Sequence, residues 1–275
     1  MLETAADPGR LKPAAYERVR KLVYEKAGID LRQGKEELVS ARLAKKLREG
    51  KFSSYEEYLD QVAADKTGES LTALIDVLTT NFTSFLREPA HFAFLREKVF
   101  PTLASRGNIE LWCAAAATGE EPYSLIFTMV DAFGAGRVKL LATDISTRAL
   151  VAARTGIYPA DRLKGVPNEW LSKYFLRGHG DKAGLYQVRP EIARLIEFRS
   201  LNLISAFQHS RSFPLISCRN VMIYFDRPTQ ERAVNRMAQY LEPGGHLFVG
   251  HSESLTGFEQ PLHFVQPAIY QMPAR

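Results

Sequence analysis

The chain has 275 residues and a mass of 30.9 kDa, which bounds it at one large domain or two modest ones. Hydrophobic residues at 45% and charged residues at 24% exclude wholesale disorder, and 18 glycines with 14 prolines exclude collagen-like or low-complexity sequence. A net charge of +5 permits an acidic partner without demanding nucleic acid, and two cysteines, Cys113 and Cys218, exclude a disulfide framework or a four-ligand zinc site.

The N-terminal stretch lacks the apolar core of a signal peptide, and no apolar run reaches the roughly 18 residues of a membrane helix. A cytoplasmic protein with two reduced thiols is expected. Residues 12 to 79 read as short helices. Val19, Leu22, Val23 and Ala27 fall at helical spacing, as do Leu38, Val39, Leu43 and Leu47. Ser54-Tyr55-Glu56-Glu57 reads as a capping box opening a third helix, and Leu71, Leu74, Ile75 and Leu78 mark a fourth. A small all-helical domain over 1–79 is therefore expected, then a connecting helix within 80–108, spanning Pro89 to Leu103.

After Gly107 the pattern changes. Ile109 to Cys113 is a strand, Glu120 to Phe133 a helix, and Val138 to Thr143 a second strand running into Asp144. Residues 146–154 read as helix, Phe213 to Ser217 as strand, Gln230 to Leu241 as helix, Pro243-Gly244-Gly245 as a turn, and His246 to Val249 as strand. Strands alternating with helices predict an α/β, doubly wound Rossmann-like domain over 109–275. Between about 157 and 198 the alternation breaks. A helix at Trp170 to Tyr174 and strand-like runs flanking the glycine-rich 177–184 suggest a small antiparallel β insertion.

The run Leu111-Trp112-Cys113-Ala114-Ala115-Ala116-Ala117-Thr118-Gly119-Glu120-Glu121 is a strand, a stretch of tiny side chains and a helix start. Small residues admit a ligand to the backbone. Glu120 and Glu121 would repel a pyrophosphate at that helix start but would tolerate a cation. Asp144, 24 positions after Glu120, suits ribose hydroxyls. A nucleoside with an amino group and no phosphate, such as S-adenosylmethionine, fits both signs. A capping glutamate pair and an ordinary turn aspartate remain the plain alternative.

Four ordered blocks sharpen this. Asn81-Phe82-Thr83-Ser84-Phe85-Leu86-Arg87, Thr118-Gly119-Glu120-Glu121-Pro122-Tyr123-Ser124, Cys218-Arg219-Asn220-Val221-Met222-Ile223-Tyr224-Phe225 and Gly250-His251-Ser252-Glu253-Ser254 resemble the CheR family of chemotaxis receptor glutamate methyltransferases. The resemblance covers essentially the whole chain. It implies transfer of a methyl group from S-adenosylmethionine to receptor glutamates, giving methyl esters and S-adenosylhomocysteine. It further implies cofactor contacts at Asn81, Thr83, Arg87, Glu120, Asp144, Asn202, Leu203, Arg219 and Asn220. Arg87 can hold the methionyl carboxylate, Glu120 can face its ammonium, and Asn202 suits the adenine edge. Tyr224 and Arg87 are the candidates beside the reacting atoms. The chain departs from the family at Ala115, where glycine is usual, at Ala116, and at Leu86, where phenylalanine is common.

An ionised glutamate needs no general base and no metal, and the six histidines show no metal spacing. Lys35, Arg42, Lys45 and Lys46 fall on one face of the second helix and are candidates for docking receptor methylation helices. Residues 1–79 carry 14 basic and 14 acidic side chains, so the patch is local, which favours a protein partner. The full-length glycine loop of the insertion resembles members that capture a receptor C-terminal peptide as an edge strand. A monomer with no nucleic-acid partner and no membrane insertion is expected. The alternatives are a methyltransferase for another substrate, against which Arg219-Asn220-Val221-Met222 counts because Asn/Asp-Pro-Pro-Tyr is absent, or a cofactor-binding receptor adaptor without turnover.

Overall fold

The computed structural model of the chain describes residues 10–79 and 82–274. These fall into two compact units. One holds the described residues up to 79 with Tyr224–Thr229, and the other those from 82 to 223 and from Gln230 onward.

The first unit contains α1 (Pro13–Ala27), α2 (Glu36–Gly50), α3 (Tyr55–Ala64) and α4 (Glu69–Leu78). Val19, Val23, Leu43, Leu47, Leu59 and Leu74 are its buried stripe residues. Leu38, read from spacing as part of the stripe, lies 44% exposed, because it is rotated away from Val39, Leu43 and Leu47. The capping box at α3 forms. Ser54 Oγ accepts from the Glu57 amide at 3.1 Å, while Glu57 reaches back to the Ser54 amide and also takes the amide and hydroxyl of Ser53.

In the second unit, α5 (Pro89–Phe94) passes through a π-helical turn, Leu95–Val99, into α6 (Phe100–Leu103). Pro101 lacks the N–H that a continuous α-helix would use there, and the wider turn accommodates its ring. The alternation then follows: β1 (Ile109–Cys113), α7 (Glu120–Phe133), β2 (Val138–Asp144) and α8 (Thr147–Thr155). The interruption contains β3 (Ile157–Pro159), α9 (Asn168–Tyr174), β4 (Phe175–Arg177), β5 (Leu185–Val188) and α10 (Pro190–Ala193). The main sheet resumes with β6 (Ile196–Ser200) and β7 (Phe213–Ser217), then α11 (Arg227–Ala238), β8 (Leu241–Phe248), β9 (His263–Gln266) and β10 (Ile269–Gln271).

The main sheet has seven strands in the order β6-β2-β1-β7-β8-β10-β9. The first five run parallel, and β10 and β9 add antiparallel pairs. The insertion is a separate three-stranded antiparallel sheet, β3-β5-β4. The Rossmann-like α/β reading and the small antiparallel sheet are thus observed. Three details differ from the sequence reading. Strand β6 pairs with β2, so the segment expected to end the insertion belongs to the main sheet. The Pro243-Gly244-Gly245 turn lies inside β8, where the register with β7 shifts. Strands β9 and β10 were not anticipated at all.

The core joins Leu111, Cys113, Phe127, Leu140, Leu215 and Phe248 to aromatic rings of the insertion, including Tyr158, Tyr174 and Phe175. Tyr174 stacks on Phe127 with ring centroids 4.3 Å apart, so the insertion is packed onto α7 rather than hung from a loop. Trp112 is fully buried and its indole N–H donates to Thr143 Oγ1 at 2.9 Å, tying β1 to β2 at their C-terminal ends.

Candidate active site

Strand β1 lies between β2 and β7, and the chain order runs outward in opposite directions from it. That switch point opens a crevice at the C-terminal strand ends, the usual ligand position in such sheets. The small-residue run leaves β1 there. Ala114 donates to the Ser217 carbonyl at 2.7 Å and Ala116 to that of Thr143 at 2.9 Å, so the loop is pinned to both neighbouring strands. Ala117 turns into the left-handed region (φ 44°). Its amide then donates to Asp144 Oδ2 at 2.8 Å, while Oδ1 accepts from the Ser146 amide at 2.9 Å. Gly119 has φ 100°, and a Cβ there would come within 2.6 Å of the Tyr158 hydroxyl. Only glycine fits both the angle and the approach. Ala115 has no positive φ, so its methyl adds no backbone strain.

Asp144 suits a ribose diol. Its carboxylate stands at the C-terminal end of β2, where the Ala117 and Ser146 amides orient it. Leu201 donates to the Asp144 carbonyl at 3.0 Å, which sets Asn202 beside it. Asn202 is half-buried and its Oδ1 accepts from the Ile204 amide at 3.1 Å. Leu203 is buried next to it. The residues present therefore fit S-adenosylmethionine at its nucleoside end.

The two glutamates at the start of α7 are not free charges. Glu121 is buried, with Oε1 accepting from Ser217 Oγ at 2.6 Å and Oε2 3.0 Å from Arg219 Nη1. Glu120 is completely buried. Arg162, from the short 3-10 turn Ala160–Leu163, clamps its Oε1 through Nε and Nη2, and Thr118 Oγ1 donates to its Oε2 at 2.6 Å. The repulsion of anions expected from this pair is therefore largely neutralised inside the protein. Nothing in the sequence signalled Arg162.

Arg219 is likewise engaged within the protein. Its side chain is 1% exposed and bridges Glu88 (Nη2 3.1 Å) to Glu121, and its Nη2 also donates to the Arg87 carbonyl. It thereby fastens the linker block to the sheet. Three other ties hold that block: Phe85 packs edge-on against Tyr158 and Phe175, Leu86 N–H donates to Ser124 Oγ at 3.0 Å, and Glu88 accepts from Asn220 Nδ2 and the His251 amide. Leu86 and Glu88 both sit in the left-handed region (φ 52° and 57°), strain that these ties sustain. The result leaves Arg87 between them half-buried, with one donor on the Phe82 carbonyl. Thr83 is buried, and Asn81 lies outside the described residues.

Asn220 has φ 58°. Its amide and that of Ile223 donate to Glu253, which also takes the Gly250 amide at 2.6 Å. Glu253 is the post around which both loops fold, a residue quoted in a sequence block but given no role there. Burial pushes its carboxyl up against the pull of those amides. Tyr224 ends the 3-10 turn Met222–Tyr224 rather than a strand, and its carbonyl accepts from the Asp30 amide at 2.8 Å within the helical unit.

Sequence spacing showed no histidine cluster, yet ligand atoms of Glu88, His91 and His251 lie within 4.8 Å of one another. The Arg219 guanidinium on Glu88 opposes a cation there. Burial would raise the Glu88 carboxyl, but Arg219 and the bonds from Asn220 and His251 hold it below its ordinary value. His91 is 2% exposed and stacks on Phe248. Burial, then Arg219 and His251, pull its pKa down to about 4 against the opposing charge of Glu88. Its folded pKa lies below its unfolded value of about 6.5. The unfolded chain therefore binds more protons in this window, and stability should fall as pH drops from about 6.5 towards 4. The loss from this residue is roughly 3 kcal/mol at most. His91→Phe is expected to flatten the stability profile in that window. An unchanged slope would assign the acid sensitivity to other groups.

Both cysteines are buried thiols. Burial, then Glu121, pushes Cys113 well up, and burial, then Glu253, does so for Cys218, so neither is a nucleophile.

The basic residues of α2 do not form one free face. Lys35 precedes the helix as its N-cap, Arg42 donates to the Leu78 carbonyl at 2.5 Å, and Lys45 lies 3.9 Å from Glu49. Lys45 is exposed and Lys46 half-buried.

Residues 81–270 match the family model described as the CheR methyltransferase SAM-binding domain, and residues 14–79 that of the CheR methyltransferase all-alpha domain. A chemotaxis protein methyltransferase of Salmonella typhimurium is 40% identical over 265 residues, covering 95% of this chain and 91% of the relative. Chemotaxis protein methyltransferase 2 of Pseudomonas aeruginosa is 39% identical over 258 residues, covering 93% and 91%. The chemotaxis protein methyltransferase of Escherichia coli is 38% identical over 265 residues, covering 95% and 92%.

Proposed function

Because this chain belongs to the CheR methyltransferase family and is thereby an S-adenosylmethionine-dependent methyltransferase, we propose that its acceptors are glutamate side chains of chemoreceptors. The observation that carries the proposal is the joint match of the SAM-binding and all-alpha domains, in one chain aligned over 95% of its length with a chemotaxis protein methyltransferase. When bound, S-adenosylmethionine supplies a methyl group on a sulfonium sulfur, which an ionised carboxylate attacks directly. No residue of this chain then has to remove a proton. Its work is to orient the carboxylate and to exclude water.

On this reading Asp144 holds the ribose, and Asn202 with Leu203 the adenine. Arg87 takes the methionyl carboxylate and Glu120 the ammonium. Asn81, Thr83 and Asn220 complete the cofactor wall, Arg219 supports it from behind, and Tyr224 serves the acceptor side. No helix among the described residues is long and apolar enough to cross a membrane. The chain would work as a monomer in the cytoplasm, on the methylation helices of its receptors. Incubation with methyl-labelled S-adenosylmethionine and chemoreceptor-containing membranes should label the receptor. Cofactor binding without any labelled protein would leave only an adaptor.

Docking is assigned to α2. Arg42 is committed to Leu78, so Lys45 and Lys46 carry the reading. The double change Lys45→Glu, Lys46→Glu should slow receptor methylation severalfold while cofactor affinity stays unchanged. Equal rates would return these lysines to a solvated face.

The insertion is assigned a tether role. Strands β3 and β4 are its edges. The turn after β4 is tight: a Cβ on Gly178 would lie 2.1 Å from the Lys182 carbonyl oxygen. An extended receptor C-terminal peptide could add to an edge by backbone hydrogen bonds and raise the local concentration of receptor helices. Titration with such peptides should show saturable binding that is lost when residues 178–184 are shortened. Binding that survives this change would remove the tether.

A further inference from the structure

We infer that Arg162 occupies the counter-ion position on Glu120 that the methionyl ammonium takes, so that cofactor binding proceeds by exchange of one cation for the other. The inference rests on the reading of Glu120 as the ammonium site.

The geometry leaves little choice. Glu120 is 0% exposed, and both carboxylate oxygens are engaged, one by two nitrogens of Arg162 and one by the Thr118 hydroxyl. A second cation reaches this carboxylate only if something moves. Glu120 itself is fixed in the first turn of α7, where its carbonyl accepts from Ser124 Oγ at 2.7 Å. Thr118 is held by its own carbonyl, which accepts from the Tyr158 hydroxyl at 2.8 Å, and is followed by Gly119, packed so near Tyr158 and Ala153 that a Cβ would not fit. Arg162 is the movable member. It stands on a four-residue 3-10 turn, and its side chain is 34% exposed and long enough to swing into solvent.

Exchange also solves an electrostatic problem. A buried carboxylate stripped of its partner is strongly unfavourable, and two cations crowded on one carboxylate repel each other. Swapping guanidinium for ammonium keeps Glu120 neutralised before and after. Arg162 and Tyr158 are the two side chains of the insertion that reach the 117–120 loop, so the swap frees one of two ties between the insertion and the cofactor loop.

Calorimetric titration of three variants with two ligands tests this. The ligands are S-adenosylhomocysteine, which keeps the ammonium, and its analogue without the α-amino group. Exchange predicts that Arg162→Gln binds S-adenosylhomocysteine about tenfold more tightly than the unchanged protein, the value of one charge-assisted bond no longer competed for. The deamino analogue should bind both equally, which also reports an intact fold. Weaker or unchanged S-adenosylhomocysteine binding, with the analogue unaffected, overturns the exchange. Glu120→Gln separates the two levels: it should abolish the preference for the amino-bearing ligand. If the preference survives, the ammonium reading itself is wrong. If it is abolished but Arg162→Gln gives no tightening, the exchange alone is wrong. Should Arg162→Gln fail to fold, Arg162→Lys decides, because a single-point cation competes less well. It should bind S-adenosylhomocysteine more tightly than the unchanged protein, and weaker binding would again overturn the proposal.

Discussion

Replacing Arg219 by leucine is expected to lower the melting temperature of the catalytic unit by about 6–20 °C. The estimate takes about 3–5 kcal/mol for breaking a buried ion pair and about 2–4 °C per kcal/mol for a unit of this size. Arg219 bridges the half-buried Glu88 at 3.1 Å and the buried Glu121 at 3.0 Å. Leucine removes the cation from both, and Glu121 is buried away from water. Glu88 also anchors Asn220 and the His251 amide, so the damage spreads to the two loops at the strand ends. Arg219→Lys keeps the charge but cannot span both carboxylates, and should fall between. Thermal unfolding followed by near-ultraviolet circular dichroism checks this. A leucine variant that melts like the unchanged protein but loses cofactor affinity would return Arg219 to the ligand.

Asp144→Ala is expected to weaken cofactor binding by about 10- to 150-fold, the equivalent of roughly 1.5–3 kcal/mol for hydrogen bonds to a charged group. The same change strands the Ala117 and Ser146 amides, which now donate to its two oxygens. Asp144→Asn distinguishes the two effects. It retains one acceptor for the loop but presents an N–H₂ where a diol needs a carboxylate. Affinity lost in both variants, with only alanine lowering the melting temperature, fits the ribose role. Unchanged affinity in the asparagine variant would make Asp144 a loop anchor alone.

The strand–loop–helix from Ile109 to Phe133 was legible because one short apolar run, a break of tiny residues and a long helical period leave no competing reading. The same holds for β7, whose five residues are all buried. Strand β9 was not legible. His263–Gln266 is mostly exposed with adjacent Phe264 and Val265, so it shows neither a buried run nor a clean alternation, and only pairing with β10 defines it. The turn-like Pro243-Gly244-Gly245 hid the length of β8, since local glycine and proline chemistry outweighs a bulge that tertiary pairing creates.

For the candidate site, position along the fold was legible and partnership was not. Asp144 and Asn202 stand together at the strand ends as their positions suggested. Arg219 pairs with Glu88, 131 positions away, and Arg162 with Glu120, 42 positions away. Charge pairing across such distances is set by topology, which no local window contains. The setting of the basic residues of α2 follows the same rule. Helical spacing places Arg42 near Lys46, but only the packed unit shows Arg42 capping the carbonyl of Leu78.

The chemical nature of the transferred product tests the account most directly. Receptor labelled by this chain from methyl-labelled S-adenosylmethionine should release its label as volatile methanol under mild alkali, as a carboxylate methyl ester must. Label that stays on the protein in alkali, as on nitrogen, would contradict direct attack by an ionised glutamate.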